Sequence, residues 1–518
     1  MRNGSEVLPI DQRKTILILS DDLRMQSGVG TMTKEIVFGI IHRFNIIQIG
    51  GAIKHPDVNK IIDMSDSLKL ETGVPDPNCK IYPVNGYGNQ DLVRQIMTTD
   101  KPDAILHFTD PRFWGWLYQM EHEIRQNIPI FYYALWDDLP VPMYNKRFYE
   151  SCDLIMAISK QSHYIHKSAL LETDSKVIDM SINEVLNENH NDNDMETRIS
   201  YVPHGINEHD FYPIDKDHEE WVEFQQFRKE VVNGMDIEFV VLYNSRNIRR
   251  KMTTDLIYGF KTFCDNLPPD KAKKCLLVLH TQPVDENGTD LPAVIGELAD
   301  GYNITFSHNK LDVKHLNFLY NVGDVTTLVS SNEGFGLGTA ESLMAGTPII
   351  VNTTGGLQDQ VGFKKDDGSY VSVKDYSNGW GSNHDGRYTK HGEWSKPIWP
   401  TNRAIVGSVP TPYIADDRCD WQDIAIRILE WYDTPEEDRK EAGLKGREYV
   451  MDDKIKMSAA EMCGGFIKYM DETFEEWMPR KRFTMFKVQN QKKKMKDNGL
   501  RLTKKIEAGN IYIPDCQN

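Results

Sequence analysis

The chain has 518 residues, 40% of them hydrophobic and 26% charged, with a net charge of −17. That length exceeds what one hydrophobic core serves, so two domains with extensions are expected, and so acidic a chain is not coated wholesale by nucleic acid. No apolar run approaches the roughly 20 residues a membrane helix needs, and seven scattered cysteines point to reduced thiols in a cytoplasm, not a disulfide frame or a zinc site.

Residues 14–20 read as a buried strand closed by Asp21 and Asp22. The turn Ser27-Gly28-Val29-Gly30 leads into residues 31–41, whose apolar positions recur at helical spacing. Strand, glycine turn and helix open a doubly wound α/β unit, where ligands sit outside the carboxyl ends of the strands. Gly28 and Gly30 either border such a ligand or let strand and helix pack closely. Residues 45–50 are a second strand, and residues 103–110 a later one whose exit carries His107, Thr109 and Asp110. Residues 131–136 form another, followed by Asp137 and Asp138. These paired acids either orient an acceptor hydroxyl and take its proton, or cap a helix ahead of a proline loop. Residues 152–158 are again a buried strand, and the polar, acidic residues 183–194 read as a flexible surface insertion. Gly205 suits a tight turn, and the first domain is expected to end near Pro213.

Residues 238–243 open a second domain as a strand. Past its exit stand Arg246 and Lys251, ahead of an amphipathic helix over residues 254–263. Cations fixed at that place would stabilise negative charge growing on a leaving group; the alternative is a solvated basic turn shared with Arg249 and Arg250. Residues 275–280 and 303–306 read as strands, and 313–320 as a helix. Residues 326–329 make a strand that runs into Glu333 and the loop Gly334-Phe335-Gly336-Leu337-Gly338. A helix over 339–345 carries Glu341, Gly346 and Pro348 end it, and 349–351 is the next strand. Strand, glycine loop and helix N-terminus together make an anion site. Two carboxylates beside it suit hydroxyls on either side of a diphosphate, Glu333 on a sugar and Glu341 on a ribose.

Residues 376–417 contain Trp380, His384, Asp385, Arg387, His391, Trp394 and Trp399, and read as an aromatic, partly ordered loop with spacing too irregular for a metal site. Residues 421–432 and 435–449 are closing helices, and 457–477 a long one. In residues 480–505, opened by Arg480 and closed by Lys505, eleven Lys or Arg face one acid, a local net of +10 that leaves −27 for the rest. Such a tail, with Phe483 and Phe486 interleaved, suits phosphate backbones or an anionic membrane surface; the alternative is a solvated helix face or loose tail.

The run from Glu333 to Glu341, with GFG between them and AGTP after, resembles the donor site of retaining glycosyltransferases of family 4. Residues 201–213 and the pair Arg246 and Lys251 are similar to that family's interdomain signature and diphosphate clamp. The resemblance implies an α/β fold of GT-B architecture, two Rossmann-like domains facing across a cleft. Residues 1–213 would be the acceptor domain and 214–455 the nucleotide-sugar domain, with 456–478 a helix crossing back and 479–518 a basic tail. It further implies transfer, with retention, from a nucleotide-diphosphate sugar (a UDP-sugar as the commonest donor) and no required metal or other cofactor. Donor contacts would come from Gly28, Gly30, residues Gly334, Phe335, Gly336, Leu337 and Gly338, and Glu341; the chemistry would rest on Glu333, Arg246 and Lys251. Many members carry a second, catalytic histidine where this chain has Thr109, which leaves His107 and Asp110 as polar candidates and Asp137 and Asp138 for the acceptor. Taken whole, the chain looks similar to glycosyltransferases of large tailed bacteriophages, some of which glycosylate hydroxymethylated pyrimidines in DNA. DNA held by the tail is therefore the expected acceptor. A polysaccharide, lipid or protein hydroxyl is the alternative, and a sugar-nucleotide binder without turnover a third.

Overall fold

Two parallel sheets organise the protein. The computed structural model describes residues 6–480 apart from 53, 174–175, 188–195, 308, 377–382 and 385; the basic run beyond Arg480 and most of the polar insertion lie outside the described residues. In the first sheet eight strands run parallel, in the order Cys79–Pro83, Phe44–Gly51, Lys14–Asp21, Ala104–Phe108, Ile130–Ala134, Leu154–Ala157, Glu196–Tyr201 and Lys176–Asp179. Short antiparallel strands, Ile62–Asp63 and Glu184–Leu186, close its two edges. The central strands are buried over nearly all their length and carry consecutive apolar residues, as at residues 16–19 and in Ile130–Ala134, which a sheet covered by helices on both faces demands. The second sheet is all parallel: Ile304–Phe306, Cys275–His280, Phe239–Asn244, Val325–Leu328, Ile349–Asn352 and Ser395–Ile398.

In each sheet the strand order reverses beside the first strand. In the first sheet this lies between Lys14–Asp21 and Ala104–Phe108, in the second between Phe239–Asn244 and Val325–Leu328. Crevices at such points, outside the carboxyl ends of the strands, are where open α/β sheets take ligands.

Several elements tie the two halves together, and residues up to Arg480 form one compact unit. The helix Ala459–Glu476 lies on the first half: Phe466 meets Tyr133 with ring centroids 4.7 Å apart, and Arg43 donates to Asp471 at 2.8 Å. Gly39 faces Cys463 so closely that no side chain fits there. Residues 376–417, expected as a loop, instead supply the edge strand Ser395–Ile398 and an antiparallel hairpin, Asn402–Ser408 with Thr411–Arg418. The hairpin reaches both halves. Ala415 N–H donates to the Leu139 carbonyl at 2.6 Å, Tyr144 Oη to the Tyr413 carbonyl at 2.9 Å, and Asp417 N–H to the Ser331 carbonyl at 3.1 Å.

Candidate functional site

The strand Phe239–Asn244 ends in a basic turn whose last residues, Arg249–Lys251, form one turn of 3-10 helix. Met252 then takes a left-handed conformation (φ 52°), so the turn stops and the helix Thr253–Asp265 starts in a new direction. This geometry turns Lys251 inward, its side chain only 8% exposed, while Arg250 flanks it. Both meet Glu333: Lys251 Nζ donates to Oε2, Arg250 Nη1 lies 3.3 Å from the same oxygen, and Ser330 Oγ donates to it at 3.1 Å. Arg250 also donates to the Asn332 carbonyl at 2.6 Å. Burial alone would raise the Glu333 pKa, but the charges of Lys251 and Arg250 hold it at about 2. Burial drives Lys251 the other way, to about 8, opposed by Glu333 and reinforced by Arg250.

Arg246, the expected partner of Lys251, is not in this cluster. Its guanidinium donates to Asp285 at 2.8 Å and its side chain is 61% exposed. Sequence spacing alone does not tell which of several cations in a short turn points inward, and Arg250 carried no signal beyond its neighbourhood.

The glycine loop is shaped by backbone fit. Gly336 sits at φ +89°, where a side chain would run into Leu357, and Gly338 packs so that a β-carbon would lie 2.7 Å from the Asn244 carbonyl. The helix Leu337–Met344 follows, and no side chain caps its first amides. Gly356 N–H donates to the Glu333 carbonyl at 2.9 Å and fixes the approach to the loop. Phe335 is buried against His204, with ring centroids 5.2 Å apart. Leu337 meets Gly28 across the cleft, where a β-carbon on the glycine would lie 3.5 Å from Leu337 Cδ1. Gly30 N–H donates to Ser27 Oγ at 3.0 Å, and that hydroxyl donates to Asp21 at 2.9 Å. A side chain at Gly30 would clash with the Met25 carbonyl, so close packing accounts for that glycine.

Glu341, one turn into the helix, accepts from Tyr320 Oη at 2.6 Å. Burial raises its pKa to about 7, the Tyr320 hydrogen bond opposes the rise, and Asp210 and Glu35 add to it. Asp137 lies across the cleft: burial raises its pKa, Arg250 restrains the rise and Glu333 adds to it. A β-carbon on Gly334 would lie 3.9 Å from its Oδ2. Asp138, beside it, is buried, and its pKa is raised well above the usual carboxylate range, first by burial and then by Asp137, with Arg250 opposing. Neither acid caps the next helical turn, Met143–Asn145, which Pro142 precedes.

The strand-end group of the first sheet lies apart. His107 is fully buried, with Nδ1 2.7 Å from Tyr118 Oη and Nε2 3.1 Å from Thr109 Oγ1, and burial pushes its pKa down to about 3. Asp110 accepts from the Arg112 backbone at 2.9 Å and pairs with its guanidinium, which also donates to the Pro410 carbonyl at 2.8 Å. Among the described residues no group of three or more His, Cys, Asp or Glu is placed to hold a metal, and no helix is long and apolar enough to cross a membrane.

No protein-family model matches the sequence, and no curated protein does either. Solved structures do. Sucrose-phosphate synthase from Thermosynechococcus elongatus superposes with a TM-score of 0.61 at 15% identity, over 89% of this chain and 100% of that one. HepE of Anabaena, in complex with UDP and glucose, gives 0.57 at 12% identity over 89% and 100%. A UDP-forming trehalose-phosphate synthase from Burkholderia xenovorans gives 0.55 at 10% identity over 90% and 99%. The fold is GT-B. In GT-B terms the Lys251, Arg250 and Glu333 cluster belongs to the second Rossmann-like half, and Asp137 faces it from the first.

Proposed function

We propose that this protein is a retaining glycosyltransferase that takes a sugar from a UDP-sugar and places it on an acceptor hydroxyl. The observation that carries this reading is the convergence of Lys251 and Arg250 on Glu333, beside the glycine loop and at the point where the strand order of the second sheet reverses. Two cations next to helix-terminal amides suit a diphosphate leaving group, whose charge grows as the glycosidic bond breaks. Glu333 pairs with both cations and offsets part of their charge. A diphosphate that takes them over frees Glu333 for the hydroxyls of the donor sugar, so occupancy by the whole donor completes the site. The structure of HepE with UDP and glucose supports UDP as the nucleotide.

Transfer with retention then runs on one face of the sugar. The bond from the anomeric carbon to the phosphate oxygen breaks, the acceptor oxygen bonds to that carbon from the same side, and the acceptor proton passes to the departing phosphate. Glu333 positions the sugar and Asp137 faces the acceptor side.

Two acceptors are supported by separate observations. The +10 run in residues 480–505 suits a phosphate backbone and so favours DNA as the acceptor, with a hydroxymethylated pyrimidine supplying the hydroxyl. The acids on the cleft side of the first half, Asp21 and Asp137, favour an uncharged sugar hydroxyl. Incubation with a mixed nucleotide-sugar pool and both acceptor classes, read by mass spectrometry, tests the reading: a glycosylated product names donor and acceptor together. No product and no donor hydrolysis would leave a sugar-nucleotide binder.

A further inference from the structure

We propose that Tyr320 is a positioning residue for the donor: its hydroxyl, held by Asn244, fixes one oxygen of Glu341 so that the other is presented to a vicinal diol. The inference rests on the reading of Glu341 as the partner of the nucleotide ribose and names the residue that sets its geometry.

Tyr320 lies on the helix Val313–Val322 and is fully buried, its ring packed edge-on to Phe211 with centroids 5.8 Å apart. Its backbone is pinned as well, because its carbonyl accepts from Thr347 Oγ1 at 2.9 Å. The hydroxyl accepts from Asn244 Nδ2 at 2.5 Å and donates to Glu341 Oε2 at 2.6 Å. A phenol has one proton to give. With the Asn244 amide on its acceptor side, that proton is committed to Glu341. Asn244 is the last residue of the central strand Phe239–Asn244, so a line of hydrogen bonds runs from the strand end to the helix of the glycine loop. Gly338 rests on the same pair: a β-carbon there would lie 2.7 Å from the Asn244 carbonyl and 3.4 Å from Tyr320 Oη.

The ionisation of Glu341 depends on the same contact. Burial raises its pKa, as do Asp210 from the interdomain segment and Glu35 from the helix Gly28–Ile40, while the Tyr320 hydrogen bond lowers it; the balance lies at about 7. Removing the hydroxyl takes away the lowering contribution, so Tyr320→Phe shifts the Glu341 pKa further up and the protonated form gains population at neutral pH. A protonated carboxyl has lost one of the acceptors a diol needs.

The test is calorimetric titration of the full chain and of Tyr320→Phe with UDP and with 2′,3′-dideoxyuridine 5′-diphosphate, from pH 6 to 9. Loss of an oriented hydrogen-bonding pair predicts that Tyr320→Phe weakens UDP about tenfold at pH 7. The ratio of variant to wild-type Kd should then shrink toward pH 9. The dideoxy analogue should bind both proteins within twofold, which also shows that the variant is folded. Equal weakening of the two ligands, or no weakening of UDP, overturns the positioning role. A wild-type chain that binds neither ligand overturns the donor-site reading itself, a separate outcome from the first.

Discussion

His107, the penultimate residue of the strand Ala104–Phe108, and Glu333, in the loop that leaves the strand Val325–Leu328, both lie on the strand next to the point where strand order reverses in their sheet. Their surroundings differ. His107 has both ring nitrogens occupied by neutral hydroxyls and is held uncharged by burial. Glu333 gathers two cations and stays charged despite burial. Position at a strand end is therefore not enough to make a site. A group that is saturated by its own neighbours is a piece of core, whereas charges that neutralise one another while one face stays reachable can be re-partnered by a ligand.

That contrast can be broken or sharpened by experiment. The largest effect is expected from Lys251→Ala or Arg250→Ala, each lowering kcat about 10²–10³-fold, by analogy with removal of one charge-stabilising donor; steady-state kinetics with UDP-glucose would read it, and near-normal turnover in both would end the assignment. Next comes pH. Lys251, at about 8, loses its charge above that value, and Glu341, at about 7, is a full acceptor only above its own. The apparent affinity for UDP should thus peak between the two and fall by up to about tenfold per pH unit on the alkaline side, with no limb from Glu333, which is ionised down to about 2. Arg246→Ala, tied to Asp285 and mostly exposed, should change kcat less than about fivefold, since exposed pairs contribute little. The smallest effect on turnover belongs to His107→Gln, which should leave kcat within about threefold yet lower unfolding stability by about 1–3 kcal/mol, the cost of disturbing a buried hydrogen-bonded group, measurable by denaturant titration.

Much of the fold is legible in the sequence because parallel strands buried on both faces are short runs rich in apolar residues between polar or charged stops, as at residues 14–20, 238–243 and 326–329. The edge strand Ser395–Ile398 and the hairpin after it are not. Four residues interrupted by Pro397, or a strand with every residue exposed, carry no periodic signal, and only the neighbouring sheet and the facing loops specify them. The site shows the same division. The glycine loop and the acids beside it stand out by spacing, whereas the inward turn of Lys251 with Arg250 depends on the left-handed Met252, and the satisfaction of His107 depends on Tyr118, contributed by a separate helix.

The hairpin has a mechanical corollary. Because the strand Thr411–Arg418 is stitched to Leu139 and Tyr144 on one side and to Ser331 on the other, it acts as a leash across the mouth of the cleft. In the proposed reaction, any parting of the two halves must carry that leash along or break these hydrogen bonds.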